Sequence, residues 1–294
     1  MKKLTGTLLG FSLLFGISAA AVAQEKSAAP AGPPKVLVIT REFVKPGKAG
    51  PPHDKAESAF VQAMARAKWP QHYLAVTSLS GKSRALFLTP YASFDAWEKD
   101  TQATDKNAAL SAALSRAAVA DGELLDSLDQ GVFLYSEEFS HNPMTDLPQM
   151  RYLESSVFHV RPGHRKEWGE LVKLYKTIVE KADPDAHWAT YECIYGAPSG
   201  TYVIFSLLKS AAEIDKGFEK GKSFMAASGE ENLKKLNELE VAAIASSETN
   251  LFVFSPQMSY VGEDWIKADP DFWKPKPASA PAAKGPGKKP AAKP

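Results

Sequence analysis

Apolar positions along the chain alternate between a period of two and a period near four. Val36 to Val44 is β-branched and apolar on both faces at its start, the pattern of a buried strand. Pro46-Gly47 breaks it, and Lys48 to Asp54, with Pro51-Pro52, reads as a loop. Ala56, Ala59, Phe60, Ala63, Met64 and Ala67 then recur at spacings of three and four, one apolar helical stripe that ends at Trp69-Pro70. His72–Ser78 and Arg84–Thr89 read as strands about a turn at Ser80-Gly81. Ser93 stands at an N-cap position before an Ala-rich helical region that runs to Leu128, and Val132–Phe139 is again strand-like.

The second half repeats the order. Tyr152–Val160 predicts a strand and Pro162-Gly163 the break. Trp168, Leu171, Val172, Tyr175, Ile178, Val179 and Ala182 form a helical stripe. Trp188–Tyr195 and Thr201–Leu208 are strands around a Gly/Pro/Ser turn. Ser210 to Glu213 and Ser228 to Glu231 both match a capping box, a helix carries Leu233, Leu236, Leu239, Ala243 and Ile244, and Leu251–Phe254 closes the half as a strand. The echo is also one of sequence. Val44-Lys45-Pro46-Gly47 returns as Val160-Arg161-Pro162-Gly163, 116 residues later. A repeat of that length is a small domain copied, not a solenoid, whose period is about 20–50 residues.

Each half reads β-α-β-β-α-β, the ferredoxin-like split βαβ order. An antiparallel sheet with helices on one side and water on the other should alternate. These strands do not: Leu37 and Val38, Leu86 and Phe87, and Val203 and Ile204 put apolar groups on both faces. Both faces must be covered, and each half is the cover for the other. The expected fold class is α+β, two tandem ferredoxin-like units packed sheet to sheet. The units span 35–143 and 144–260, between a signal peptide (1–23) with a linker (24–34) and a C-terminal extension (261–294).

This element order and duplication resemble the dimeric α+β barrel superfamily, here as an internal pseudo-dimer. The relatives in view are antibiotic-biosynthesis-type monooxygenases, NIPSNAP-like proteins and chlorite-dismutase-like haem proteins. The resemblance covers about residues 35–260 and implies a fold more than an activity. It places a ligand between a sheet and the elements covering it.

The ends set the compartment. Lys2 and Lys3, the apolar stretch Leu4–Ile17 and the small residues Ala21-Val22-Ala23 form a secretory signal, so export to the periplasm or beyond is expected. Pro275–Pro294 holds only Pro, Ala, Lys, Gly and Ser and cannot build a core. Without Lys2 and Lys3 the acidic and basic residues balance to within one, which gives no footprint for nucleic acid. No later segment is apolar enough to span a bilayer. The lone Cys193 forms no internal disulfide and reads as a buried strand thiol.

Candidate chemistry lies in polar and aromatic groups on strands. Glu42 and Glu154 sit on the opening strands with the parity of Val44 and Val160, while Arg41 and His159 take the opposite parity. Glu192 lies in the second hairpin beside Tyr191, with Trp188 at its start. The candidate ligand-binding set is Glu42, Glu154, His159, Trp188, Tyr191 and Glu192, weighted toward the aromatic-rich second half. No histidine pair has metal-site spacing, so neither a metal nor a cofactor is expected. His164, at a helix start, is the position nearest to a haem ligand. The expected function is binding of a small apolar or aromatic ligand by an exported monomer or homodimer. The alternatives are a cofactor-independent monooxygenase and a structural protein anchored by its cationic tail.

Overall fold

The computed structural model describes residues 32–274; the expected signal peptide (1–23) and the Lys/Pro/Ala tail from Pro275 lie outside the described residues. Eight antiparallel strands close into a barrel: β1 (Val36–Val44), β2 (Leu74–Ser78), β3 (Arg84–Tyr91), β4 (Leu125–His141), β5 (Tyr152–Val160), β6 (Trp188–Tyr195), β7 (Thr201–Leu208) and β8 (Ile244–Phe254). Around the barrel the order is β1-β3-β2-β8-β5-β7-β6-β4. The expected face-to-face sheets are therefore one continuous ladder. β2 joins β8 through Val76↔Phe254, and β4 joins β6 through Phe133↔Cys193. No helix among the described residues is long and apolar enough to cross a membrane.

Closure explains the two-sided apolar strands. On β1, Leu37 and Ile39 point into the barrel, where they join Val76, Leu86, Phe133, Leu153, Tyr191, Phe205 and Phe252. Val36 and Val38 point outward and pack with Tyr91, Val132 and Trp97. The outer face is covered by α1 (Pro51–Ala67), α2 (Phe94–Lys106), α3 (Ala108–Gly122), α4 (Arg165–Ala182) and α5 (Ala212–Ala243). Strands filled on both faces read as apolar runs for this reason.

The C-terminal extension completes the interior. It holds two short helices, α6 (Glu263–Ala268) and α7 (Pro270–Trp273). Trp273 is 1 % exposed and belongs to the barrel cluster. Its ring meets Phe254 edge-on at 6.1 Å, and its Nε1 donates to the Pro148 carbonyl at 2.8 Å. Arg151 pairs with Asp269 and lies 4.0 Å over the Phe272 ring, which fastens the segment to the start of β5.

Several boundaries differ from the sequence reading. α1 begins at Pro51 rather than after Asp54, because proline at the first helical positions gives up only N–H groups that have no intrahelical partner. Ser93 caps α2 as expected, accepting from Ala96 N–H at 3.1 Å. The Ala-rich helix splits at Asn107 into α2 and α3, and Leu125–Leu128 is strand instead of helix. Neither expected capping box forms. Glu213 reaches Lys209 N–H, and the Ser228 hydroxyl donates back to the Phe224 carbonyl. A break in α5 does occur next to Ser228, where Gly229 takes φ +69.

Replacing Trp273 with alanine removes the largest side chain of the barrel end. We expect Trp273→Ala to lower stability by roughly 3–5 kcal/mol, read as a reduced midpoint in denaturant titration.

Candidate functional site

Four ionisable side chains meet on the outer face of the barrel in the first half. β1 carries Glu42, whose outward parity it shares with Val44. α1 carries His53 and Glu57, four apart and so on one face of the helix. α3 carries Asp121 at its last turn, where the chain turns back into β4. All four are buried: Glu42 is 5 % exposed, His53 2 %, Glu57 3 % and Asp121 2 %.

Their hydrogen bonds do not balance. His53 Nε2 lies 3.0 Å from Glu42 Oε2 and 3.4 Å from Asp121 Oδ1. One ring nitrogen carries at most one proton, so it serves one carboxylate, and Glu42 is the closer. Asp121 Oδ1 and Glu57 Oε1 are buried without any hydrogen-bond partner. Such orphaned acceptors are rare in folded proteins and costly when charged. No Lys or Arg among the described residues forms an ion pair with these carboxylates; His53 is their only basic neighbour.

Burial, and then the charges of Glu42 and Asp121, push the Glu57 carboxyl up to about 10. Burial and the charge of Glu42 raise Asp121 to about 6 against the opposing pull of His53. Tyr73 is pushed up by burial and by the carboxylates of Glu57 and Glu42. Without a cation, Glu57 is thus held as a neutral acid at neutral pH. One donor atom from each of the four residues lies within 4.8 Å of the others, a set that could hold a metal ion.

One member of the cluster also borders a cavity. A cavity of about 210 Å³ is lined by Val44, Ala49, Gly50, His53, Asp54, Thr77, Ser78, Ser83 and Arg84. It lies between the start of α1 and the β2–β3 hairpin, with His53 common to cavity and cluster.

The six residues expected to form a ligand site do not come together. Glu42 is in the cluster just described. Glu154, Trp188 and Glu192 lie on the face covered by α4. Burial raises the Glu154 carboxyl. Trp188 donates to the Phe139 carbonyl at 2.8 Å and meets Tyr175 of α4 at 5.9 Å. Glu192 takes both Arg165 nitrogens, at 2.7 and 2.6 Å, on the wall of an open cleft of about 400 Å³ lined by charged residues. His159 and Tyr191 have the parity of the barrel interior. His159 Nδ1 lies 3.0 Å from the Thr201 hydroxyl, and Tyr191 packs edge-on against Tyr135. Of the second-half aromatics that drew the expected site toward that half, Trp168, Trp188, Tyr191, Tyr202 and Phe205 are buried, with Trp168 stacked on Tyr202 at 5.0 Å among Phe139, Phe158 and Val160, while Tyr175 and Tyr195 are exposed.

Sequence reading missed His53, Glu57 and Asp121. The available signal was the His53-x-x-x-Glu57 spacing, hidden once Pro51-Pro52 was read as loop. Neither His164 nor His53 is placed as an axial haem ligand. His164 is half-exposed beside Glu167 at 3.6 Å, and His53 is enclosed by carboxylates, so neither faces an apolar slot.

No family model matches the chain, and no curated protein matches it in sequence. Several solved structures are similar to the chain in part. A protein named only by inference as a monooxygenase, from Fusobacterium nucleatum, is 14% identical with a TM-score of 0.47 over 76% of this chain and 93% of its own. An anthrone oxidase-like protein is 10% identical, with a TM-score of 0.45 over 78% and 95%. A chlorite dismutase variant of Candidatus Nitrospira defluvii is 11% identical, with a TM-score of 0.45 over 80% and 96%.

The direction of the Glu57 shift fixes a pH dependence. Its proton is retained in the native state and lost by the unfolded chain above the ordinary value of 4.5. The native state therefore binds more protons between 4.5 and about 10, and stability falls as pH rises through that window. Chelator-treated protein is expected to lose thermal stability from pH 6 to pH 9, at up to about 1.4 kcal/mol per pH unit for one proton. Glu57→Gln should remove most of that slope, as thermal unfolding across the pH series will show.

Proposed function

We propose that this is an exported cell-envelope protein whose two ferredoxin-like units, 35–143 and 144–260, arose by tandem duplication and fused into one barrel. On this reading the protein binds a small polar ligand at the cleft beside His53. The observation that carries the reading is His53 itself. It is buried in a four-residue ionisable cluster, yet forms part of the wall of a 210 Å³ cavity. Water takes up about 30 Å³ in the liquid, so the cavity suits a ligand of a few heavy atoms.

An apolar or aromatic ligand inside the barrel has less support. Phe133, Tyr191, Phe205, Phe252 and Trp273 already fill that space. The cofactor-independent monooxygenase reading needs a dry apolar pocket, and it ranks second for the same reason. Support for duplication comes from register. β1 shifts its pairing with β4 between Phe43 and Val44, and β5 shifts its pairing with β8 between His159 and Val160, at matching points of the two halves.

Native mass spectrometry of protein purified from its own host tests the ligand. A bound small molecule should be present in the wild type and absent in Ala49→Trp, which fills the cleft from an exposed loop. Retention by the variant, or no bound molecule in the wild type, counts against the cleft. Duplication makes a separate prediction. Residues 35–143 and 144–260 expressed together should associate into a folded complex, while each alone should aggregate through its unpaired β2, β4, β6 or β8 edge. Size-exclusion chromatography distinguishes these outcomes.

A further inference from the structure

We propose that Glu42, His53, Glu57 and Asp121 bind one divalent first-row transition cation of the manganese, iron or zinc type. The inference deepens the reading of the His53 cleft by naming what the cluster behind it holds, and it rests on that reading only for the route by which the ion enters.

Geometry comes first. The four donor atoms lie within 4.8 Å of one another and come from three separate elements, β1, α1 and α3, so packing of the outer layer assembles the set. Ligands on opposite sides of a cation with bonds of about 2.1–2.4 Å are roughly 4.2–4.8 Å apart, so the cluster needs little contraction to close on an ion. Two of its oxygens, Glu57 Oε1 and Asp121 Oδ1, are buried and have no partner in the protein. This is the second observation, independent of the acidity of the cluster. With the carboxyls ionised, the protein supplies no donor for these two buried oxygens. A cation is a partner that satisfies both at once.

Charge points the same way. Three carboxylates surround one imidazole, with no lysine or arginine paired to them among the described residues. Fully ionised, the set would be a buried triple negative charge, which is strongly unfavourable. Protons can relieve it one carboxyl at a time; a divalent cation relieves it in one step and uses the lone pairs that protonation leaves idle.

The donor types select the class of ion. Oxygen alone would suit magnesium or calcium, but imidazole favours zinc, iron and their neighbours. No thiolate is present to favour a softer ion, since Cys193 lies in β6 with the barrel-interior residues. His53 alone of the four lines the cavity, which is therefore the side from which an ion would enter.

The test uses the mature protein, stripped with chelator and dialysed. Isothermal titration with manganese(II) and zinc(II) should show one ion per chain, and native mass spectrometry should count the same. Magnesium and calcium at equal concentration should bind at least tenfold more weakly. His53→Gln and Asp121→Asn should each reduce affinity by tenfold or more, with circular dichroism reporting that the variants remain folded. Should those variants unfold, the manganese spectrum of the wild type decides. Electron spin echo should show a coupled imidazole nitrogen in the bound ion, and its absence overturns the proposal. So do failure of the wild type to bind either ion at millimolar concentration, and binding that the variants leave unchanged. A small organic molecule retained in the cleft of a protein that binds no cation would overturn this inference alone. A bound cation with no ligand in the cleft would overturn the ligand reading alone.

Discussion

Everything else in the structure depends on two strand pairings, β2 with β8 and β4 with β6, which join the halves of the chain. Each half alone would be an open sheet with unpaired N–H and C=O groups at both edges. Pairing across the halves removes every edge and encloses an interior in one step. Long β4 and β8 make this possible. β4 pairs with β1 over its first part and with β6 over its second, and β8 does the same with β5 and β2. One strand in each half therefore belongs to both ladders, and the halves cannot separate without breaking both.

Closure also divides the labour between the two faces of the sheet. The interior receives side chains from all sides, including Trp273 from the C-terminal extension, and Phe133, Tyr191 and Phe252 leave it filled. Buried ionisable groups are disfavoured in the middle of such a core, where few groups could answer their charge. It collects in the outer layer, between sheet and helices, where three elements meet and a loop leaves a gap. Glu42, His53, Glu57 and Asp121 occupy that kind of position. The cost is the unmet oxygens of Glu57 and Asp121, a local instability that the surrounding packing must carry.

Much of the fold was legible because strands leave a periodic record. β1, β5, β6 and β7 have the boundaries that the alternation and the Gly/Pro breaks predict. Closure could be inferred because Leu37 with Val38 and Val203 with Ile204 need cover on both sides. The site was less legible, for one local reason with a distant consequence. Pro51-Pro52 reads as loop or as first turn with equal ease, and only packing on β1 decides. Read as loop, His53 loses its helical partner Glu57. Asp121 could not be recruited from sequence by any rule, since it reaches the cluster through the turn between α3 and β4. Glu42 was singled out by parity, but parity gives a face and not a neighbour.

The asymmetry between the halves then has a physical source. Matched at their bulges, Glu42 on β1 corresponds to Phe158 on β5. The strand partner of Glu42 is Ala85, and that of Phe158 is Tyr202. Ala85 is small and leaves room above the sheet, whereas Tyr202 fills it and stacks on Trp168 of α4. In the second half this space is closed by apolar contact and contributes stability through burial. In the first half it holds carboxylates and an imidazole, among which His53 and Glu42 are hydrogen-bonded and an oxygen each of Glu57 and Asp121 is left unpaired. At matching positions the two halves are thus packed differently, with an aromatic stack in the second and a buried ionisable cluster in the first.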